Sequence, residues 1–372
     1  MANQNIRTPR FYPDMINYLM ARGVAQNGEF DVVATGGSDP NTTRGIQTGS
    51  EAELFDMKPL NKVDFDTSGD PDSHVLVKID LQSNSFKQNY IAILNHNLNS
   101  AKGKIRIFAG STSTEADDVN GAGAATADID WSAVNAAEVV NADTITSMSG
   151  HGSIANNTSI VVEPATDGST IIKFDDQDLR YWAVQFEGAD GGAGAATDED
   201  FDTSTDLFVG CIMIGEYFDM PHAPDLAVKR SITFDQTSLQ ESVGGQRYSN
   251  MTSFGGQSES GTTKSPFKLA SKHFTMYGGR LAYDMNFSYL KSSDVMPLEY
   301  SSVQYGDDTV IEDVWNITHG NHIPFIFSID SSSAGDGAES EHIFARFGQQ
   351  SMEMSQVALD TFNISMRIEE EF

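Results

Sequence analysis

The sequence predicts a mainly β protein, with two β-sandwich or jelly-roll-like domains behind a short N-terminal helical arm. Three observations carry this. Short apolar runs recur along the chain, and most alternate apolar with polar residues, the period of a half-buried strand. Gly, Asn, Asp, Ser or Pro bounds each run. Helical periodicity is scarce, and short strands joined by turn-rich links make sandwiches or barrels.

The elements follow in order. Residues 1–24 read as the arm, with one helix over residues 13–22. Pro13 suits a first helical position, Asp14 suits the positive end of the helix dipole, and Gly23 suits the C-terminal cap. Residues 25–220 form the first β domain, with strands expected near residues 74–80, 104–108, 159–163, 170–174, 181–186 and 207–214. The stretch 218–225 carries Pro221 and Pro224, which stiffen and extend the chain at a domain joint. Residues 221–372 form the second β domain, with strand runs at 281–287, 324–329, 342–347 and 361–371. Val310, Ile311, Val314 and Trp315 have helical spacing, which predicts a short helix over 307–317. Gly-Ala-Gly-Ala-Ala-Thr occurs at 121–126 and again at 192–197. Two copies at that separation do not make a solenoid. They read as solvated loops or as contacts to a neighbouring subunit.

Composition narrows the function. The 372 residues hold 23 Lys+Arg against 53 Asp+Glu, a net charge of −30. Phosphate binding needs clustered cations, so neither a nucleic-acid groove nor an anionic membrane surface is expected. A single cysteine, Cys211, excludes a disulfide within the chain and any Cys-based zinc site. Its apolar surroundings mark it as a small buried hydrophobe. No apolar run is long enough for a membrane-spanning helix, and the opening residues lack the apolar core of a secretory signal.

Site chemistry is sparse. Of eight histidines, only His319 and His322 lie close in sequence, in a Gly/Asn-rich turn without an H-E-x-x-H frame. Residues 64–69 resemble the start of an EF-hand loop, but the twelfth position is Val75 rather than Glu. Residues 175–178 and 198–202 are also oxygen-rich. No cofactor is expected, and a structural Ca²⁺ in one of these loops is the only ion the composition leaves open. There is no nucleophile elbow and no phosphate-binding glycine loop. Two carboxylates placed for glycoside hydrolysis would be a chance outcome among so many acids. Trp131, Trp182 and Trp315 read as core. The chain is not expected to be an enzyme.

Several segments together carry a resemblance. YIAILNHNL at 90–98 is followed by GKIRIF at 103–108, LRYWAVQF at 179–186 and VGCIMIGE at 209–216. This order resembles the galactose-binding-like jelly roll built into tailed-bacteriophage virion proteins. In that family an R-Y-W strand lies near an I-G-x-L-x-L-G strand. Arg180, Tyr181, Trp182, Gly210 and Gly215 match, and Cys211 and Met213 depart. The second block, with YDMNFSYL at 283–290, PFIFSI at 324–329, HIFARF at 342–347 and TFNISMRIEEE at 361–371, resembles distal-tail and baseplate β domains. IRTPRFY at 6–12 is similar to the N-terminal arms of such proteins.

The resemblance implies a non-enzymatic structural protein of a phage virion, in the tail or its tip. It would assemble as a homo-oligomeric ring and dock to other virion proteins. The alternatives are an adhesion module that binds host-surface glycan, and a head-decoration or head–tail connector protein. Arg7, Arg10, Phe11 and Tyr12 have the residue types enriched at interface hot spots, and they are the candidate assembly contacts. On that reading, removing residues 1–12 weakens assembly and leaves the domains folded.

Overall fold

The computed structural model describes residues 6–22, 30–33, 45–71, 73–82, 87–110, 138–141, 144–149, 156–191, 199–233, 238–250, 267, 280–296, 309–335 and 338–371. The fold is mainly β. In chain order the first strands are β1 (Arg10–Pro13), β2 (Phe30–Val33), β3 (Ile46–Thr48), β4 (Val63–Phe65), β5 (His74–Asp80), β6 (Gln88–His96) and β7 (Gly103–Gly110), with helix α1 (Met15–Ala21) after β1. Next come β8 (Glu138–Val140), β9 (Thr144–Ser149), β10 (Asn156–Glu163), β11 (Gly168–Gln177), β12 (Tyr181–Gly188), β13 (Asp190–Gly191), β14 (Glu199–Asp200), β15 (Leu207–Val209) and β16 (Cys211–Gly215). The remainder are β17 (Phe218–Asp219), β18 (Lys229–Thr233), β19 (Ser238–Glu241), β20 (Arg247–Asn250), β21 (Arg280–Lys291), β22 (Phe325–Ser328), β23 (His342–Phe347), β24 (Met354–Ala358) and β25 (Thr361–Glu370).

Three antiparallel sheets stack face to face. A six-stranded sheet runs β2-β5-β12-β7-β10-β9, and a four-stranded sheet runs β16-β6-β11-β8. Their strand order, with β12 between β5 and β7 and β11 between β6 and β8, is a jelly-roll path. Val77, Ile107, Val184 and Trp182 from the first sheet meet Ile91, Ile93, Ile172 and Ile212 from the second. An eight-stranded sheet, β17-β1-β22-β23-β25-β21-β18 with β24 on β25, lies on the other face of the four-stranded sheet. There Tyr90, Ala92, Leu94, Cys211 and Met213 meet Tyr12, Ile326 and Phe344. The far face of the eight-stranded sheet carries Phe11, Phe325, Phe327, Phe347 and Met366, packed under Val295, Val310 and Val314.

This stacking explains the unbroken apolar runs. In β6, Ile91 and Ile93 face the sandwich core while Tyr90, Ala92 and Leu94 face the eight-stranded sheet. A strand buried on both faces has no polar side to display, so its pattern is continuous rather than alternating.

Several sequence expectations shift. The arm holds a helix, but Pro13 ends a strand and Asp14 is the N-cap, its carboxylate accepting from the Asn17 N–H. Arg22 is the C-cap, and Gly23 lies outside the described residues. Over Val310–Asn316 the expected helix is a π-helix buried nearly all round, capped by Thr309, and Asp307 lies outside the described residues. The R-Y-W strand β12 and the I-G strand β16 lie in different sheets, facing each other across the core. The segments 121–126 and 192–197 and Trp131 lie outside the described residues.

Candidate functional site

Four residues of the arm were the sequence's candidates for contact with a partner, and three of them point inward. Arg10, Phe11 and Tyr12 are 6%, 0% and 1% exposed, all by contact within this chain. The cause is strand pairing. β1 fills the slot between β17 and β22, with Arg10 opposite both Asp219 and Ser328, and Phe11 opposite both Phe218 and Phe327. Consecutive side chains of a strand point to opposite faces. Phe11 therefore enters the aromatic core on one side, with ring centroids 5.6 Å from Phe325 and 5.2 Å from Phe327. Tyr12 enters the inter-sheet core on the other side, edge-on to Tyr90 at 5.1 Å. A partner has no access to these side chains in this fold. Within the described residues, β1 of the arm is a strand of the second block's sheet.

Arg10 is the charged member of the socket. Its Nε and Nη2 donate to the two Asp219 oxygens at 2.5 and 2.6 Å, a bidentate pair. Its guanidinium carbon sits 3.8 Å from the centroid of the Tyr217 ring. Burial, the largest single influence, works against the positive charge, but the Asp219 hydrogen bond together with the charges of Tyr12, Asp219 and Tyr217 outweighs it and holds the pKa above the usual arginine value. Burial pushes the Tyr12 phenol up, as it does that of Tyr90, whose hydroxyl donates to the Pro13 carbonyl at 2.8 Å. Gly215 lets β16 pass this close: a Cβ there would lie 2.5 Å from the Pro13 oxygen. Gly210 has the same role beside the Pro59 carbonyl, where a Cβ would lie 2.1 Å away. Both glycines singled out in the sequence therefore serve close backbone approach.

Beyond β1, α1 sets Met15, Ile16, Tyr18 and Leu19 into the sandwich core. Asp14 joins the two halves of the arm. Fully buried, it accepts from Asn17 N at 2.8 Å and from Ile214 N at 3.3 Å, and burial raises its pKa to about 6. The arm thus clasps both β blocks of its own chain.

Arg7 differs. Its side chain is 57% exposed, with Nε 3.5 Å from Asp330 Oδ2 and Nη1 donating to Ser332 Oγ at 2.7 Å. It is the only one of the four candidates that reaches solvent.

The other candidates are engaged within the fold. His96 and His342 are buried, Cys211 is fully buried with its thiol pKa raised by burial, and His319 lies 5.7 Å from the Tyr18 ring. Carboxylates in and beside the oxygen-rich loops accept hydrogen bonds within the fold. Asp206 accepts from Ser68 N, Asp202 from Ser204, and Asp176 from Asn89. Among the described residues, no group of three or more His, Cys, Asp or Glu side chains is placed to hold a metal ion. Also among the described residues, no helix is long and apolar enough to cross a membrane.

Sequence reasoning missed a buried charge cluster on the outer face of the six-stranded sheet. Glu187 Oε1 accepts from Arg106 Nε at 3.0 Å and Nη2 at 2.7 Å, with Lys104 Nζ at 3.4 Å. Gln185 Nε2 donates to Glu187 Oε2 at 3.3 Å. The residues are neighbours only through the β12–β7 register, which sets Gln185 opposite Arg106 and Glu187 opposite Lys104. Nothing in local sequence marks that pairing. Asp219 and Tyr217 were missed as arm partners for the same reason, since they lie some two hundred residues away in the chain and only the sheet order brings them together.

What remains for partners is an uneven distribution of exposed apolar side chains. Ile6 and Met20 are the exceptions in the arm. The other exposed large hydrophobics among the described residues are Leu226, Ile232, Leu239, Val243, Tyr248, Tyr289, Val357 and Leu359, all in the second block. No protein-family model, no curated protein and no solved structure matches the chain.

Proposed function

We propose that this chain is a non-enzymatic structural protein of a tailed-bacteriophage virion, placed in the tail or tail tip, that works by symmetric assembly with copies of itself and by docking to other virion proteins. The resemblance of its two blocks to virion β domains motivates the assignment. The observation that supports it best is the concentration of exposed apolar side chains in residues 226–359, beside a sandwich half that exposes none among its described residues. Exposed apolar side chains mark a protein contact where they form a patch. The acidic remainder keeps the unassembled chain soluble.

The assembling surface moves from the arm to the second block, because Arg10, Phe11 and Tyr12 are buried inside the fold. The glycan-binding alternative draws no support from the sandwich: Trp182 is in its core, stacked on Phe174 at 5.4 Å.

Sedimentation of the purified full chain tests the assembly, and immunogold labelling of phage particles tests the location. A closed oligomer and labelled tails are the expected results. A monomer at every concentration, with unlabelled particles, would sink the proposal.

A further inference from the structure

The eight-stranded sheet ends at β18. Among the described residues β18 pairs with β21 alone, from Lys229 opposite Asp284 to Thr233 opposite Arg280. All five of its side chains are exposed, so neither face of the strand is covered. Ile232 is 57% exposed there. An uncovered edge strand is a template for another strand, and soluble proteins usually blunt such edges. Here Lys229 and Arg230 charge the first half of the strand, while the second half is regular and carries an exposed Ile.

Charge selects the occupant. The chain carries −30 overall, so two copies repel through most of their surface. Residues 226–250 are one of the stretches that depart from this balance: Lys229, Arg230 and Arg247 stand against Asp235 and Glu241. A basic partner would be drawn to the acidic remainder of the surface and away from this edge. A second acidic copy can approach only where the surface is not acidic. The same segment holds Leu226, Ile232, Leu239, Val243 and Tyr248, half of the exposed large hydrophobics among the described residues.

Register selects the geometry. A parallel pairing of β18 with itself would set Arg230 against Arg230. Antiparallel pairing centred on Ser231 engages all five residues, with Lys229 opposite Thr233 and Arg230 opposite Ile232. No two cations then face each other, and the Arg230 stem covers Ile232. Moving the centre to Arg230 would oppose two guanidinium groups and shorten the ladder. We propose that β18 is a homotypic docking edge, at which two copies of this chain join their eight-stranded sheets antiparallel, with Ser231 on the two-fold axis. The contact is isologous, as a two-fold requires. The inference rests on the assembly reading above and names the surface it uses.

A cysteine at the axis tests it in the full-length protein. Opposed residues of an antiparallel pair lie within disulfide reach. The native Cys211 is buried and does not compete. Ser231→Cys should form a covalent dimer under mild oxidation about a hundredfold faster than Lys58→Cys, because the axis raises the effective concentration of the two thiols. The Lys58 side chain, 71% exposed on the sandwich half, provides the control position. Ile232→Lys, which sets a second cation opposite Arg230, should lower the sedimenting mass without changing the circular dichroism spectrum. Cross-linking no faster than the control, cross-linking to a different protein, or an unchanged mass for Ile232→Lys would each overturn the proposal. If the unmodified chain still forms an oligomer in those cases, only this edge is wrong. If it is a monomer throughout, the assembly reading falls with it.

Discussion

The Arg10–Asp219 pair is asymmetric, and the asymmetry sets what each partner contributes. The Arg10 side chain is 8% exposed and that of Asp219 is 39% exposed. Removing the arginine leaves a carboxylate that water can reach. Removing the aspartate strands a guanidinium in the core. Arg10→Met should cost about 1–3 kcal/mol, the scale of a hydrogen bond to a charged group. Asp219→Ala should cost about 3–5 kcal/mol, the scale of removing one partner of a buried ion pair. Urea midpoints decide it, and an Arg10→Met loss equal to or larger than that of Asp219→Ala would refute the account. Titration adds a second residue-scale expectation. His96 Nδ1 accepts from Leu98 N at 3.3 Å and its Nε2 lies 2.9 Å from Thr170 Oγ1, so the buried ring is held neutral. Burial lowers its pKa to about 3, and burial lowers that of His342 to about 4. Both folded values lie below the ordinary 6.5, so these rings contribute stability above that pH that is lost as pH falls. Asp14 has the opposite sign: its pKa is raised from 3.8 to about 6, so its contribution is present at low pH and lost as pH rises through about 6. The two histidines outweigh the one aspartate. Stability should therefore fall by several kcal/mol between about pH 6.5 and pH 4, since a tenfold difference in proton affinity between folded and unfolded chains is worth about 1.4 kcal/mol. His96→Gln should flatten that limb. A urea midpoint independent of pH across this window would contradict it.

At the scale of elements, β1 changes the meaning of the N-terminus. A free arm could be removed without harm to the domains. β1 instead bridges β17 and β22 and fills both adjoining cores, with Phe11 on one side and Tyr12 on the other. Deleting residues 1–13 should therefore unfold the eight-stranded sheet, seen as lost near-ultraviolet circular dichroism and rapid proteolysis within residues 280–371. A truncated chain that keeps its native spectrum would show that the sheet stands without β1. The helix after β1 was legible from its end signals, since Asp14 does sit at its positive end, although as the cap itself rather than inside a first turn begun by Pro13. The strand before it was not. Four residues are too few to show a period, and adjacent Phe11 and Tyr12 alternate only between two buried faces.

The whole molecule is tied together by the face that two sheets share. The four-stranded sheet buries one side in the sandwich and the other against Ile326 and Phe344 of the second block. β1 and α1 add a covalent clasp, one packing into each block. Large apolar interfaces couple parts of a chain that would otherwise unfold separately. A scanning calorimeter should record one main transition for the described core. Two well-separated transitions, one for each half of the chain, would show that the shared core does not couple them.

The β character, the approximate strand positions, the burial of Cys211 and Trp182, and the acidic balance were all legible in the amino-acid sequence. Each is a property of a local window or of composition: the period of a run, the apolar neighbours of one residue, or a sum of charges. Tertiary structure was needed to show that Arg10, Phe11 and Tyr12 face inward, that Asp219 receives the guanidinium, that Glu187 meets Arg106 and Lys104, and that, among the described residues, the eight-stranded sheet has an edge at β18. Those are consequences of sheet order and register, which bring together residues far apart in the chain. An Arg-Phe-Tyr run has the same composition whether it grips a partner or its own core. Only the vacant slot between β17 and β22 selects the second outcome, because β1 there gains backbone hydrogen bonds on both edges and buries both faces.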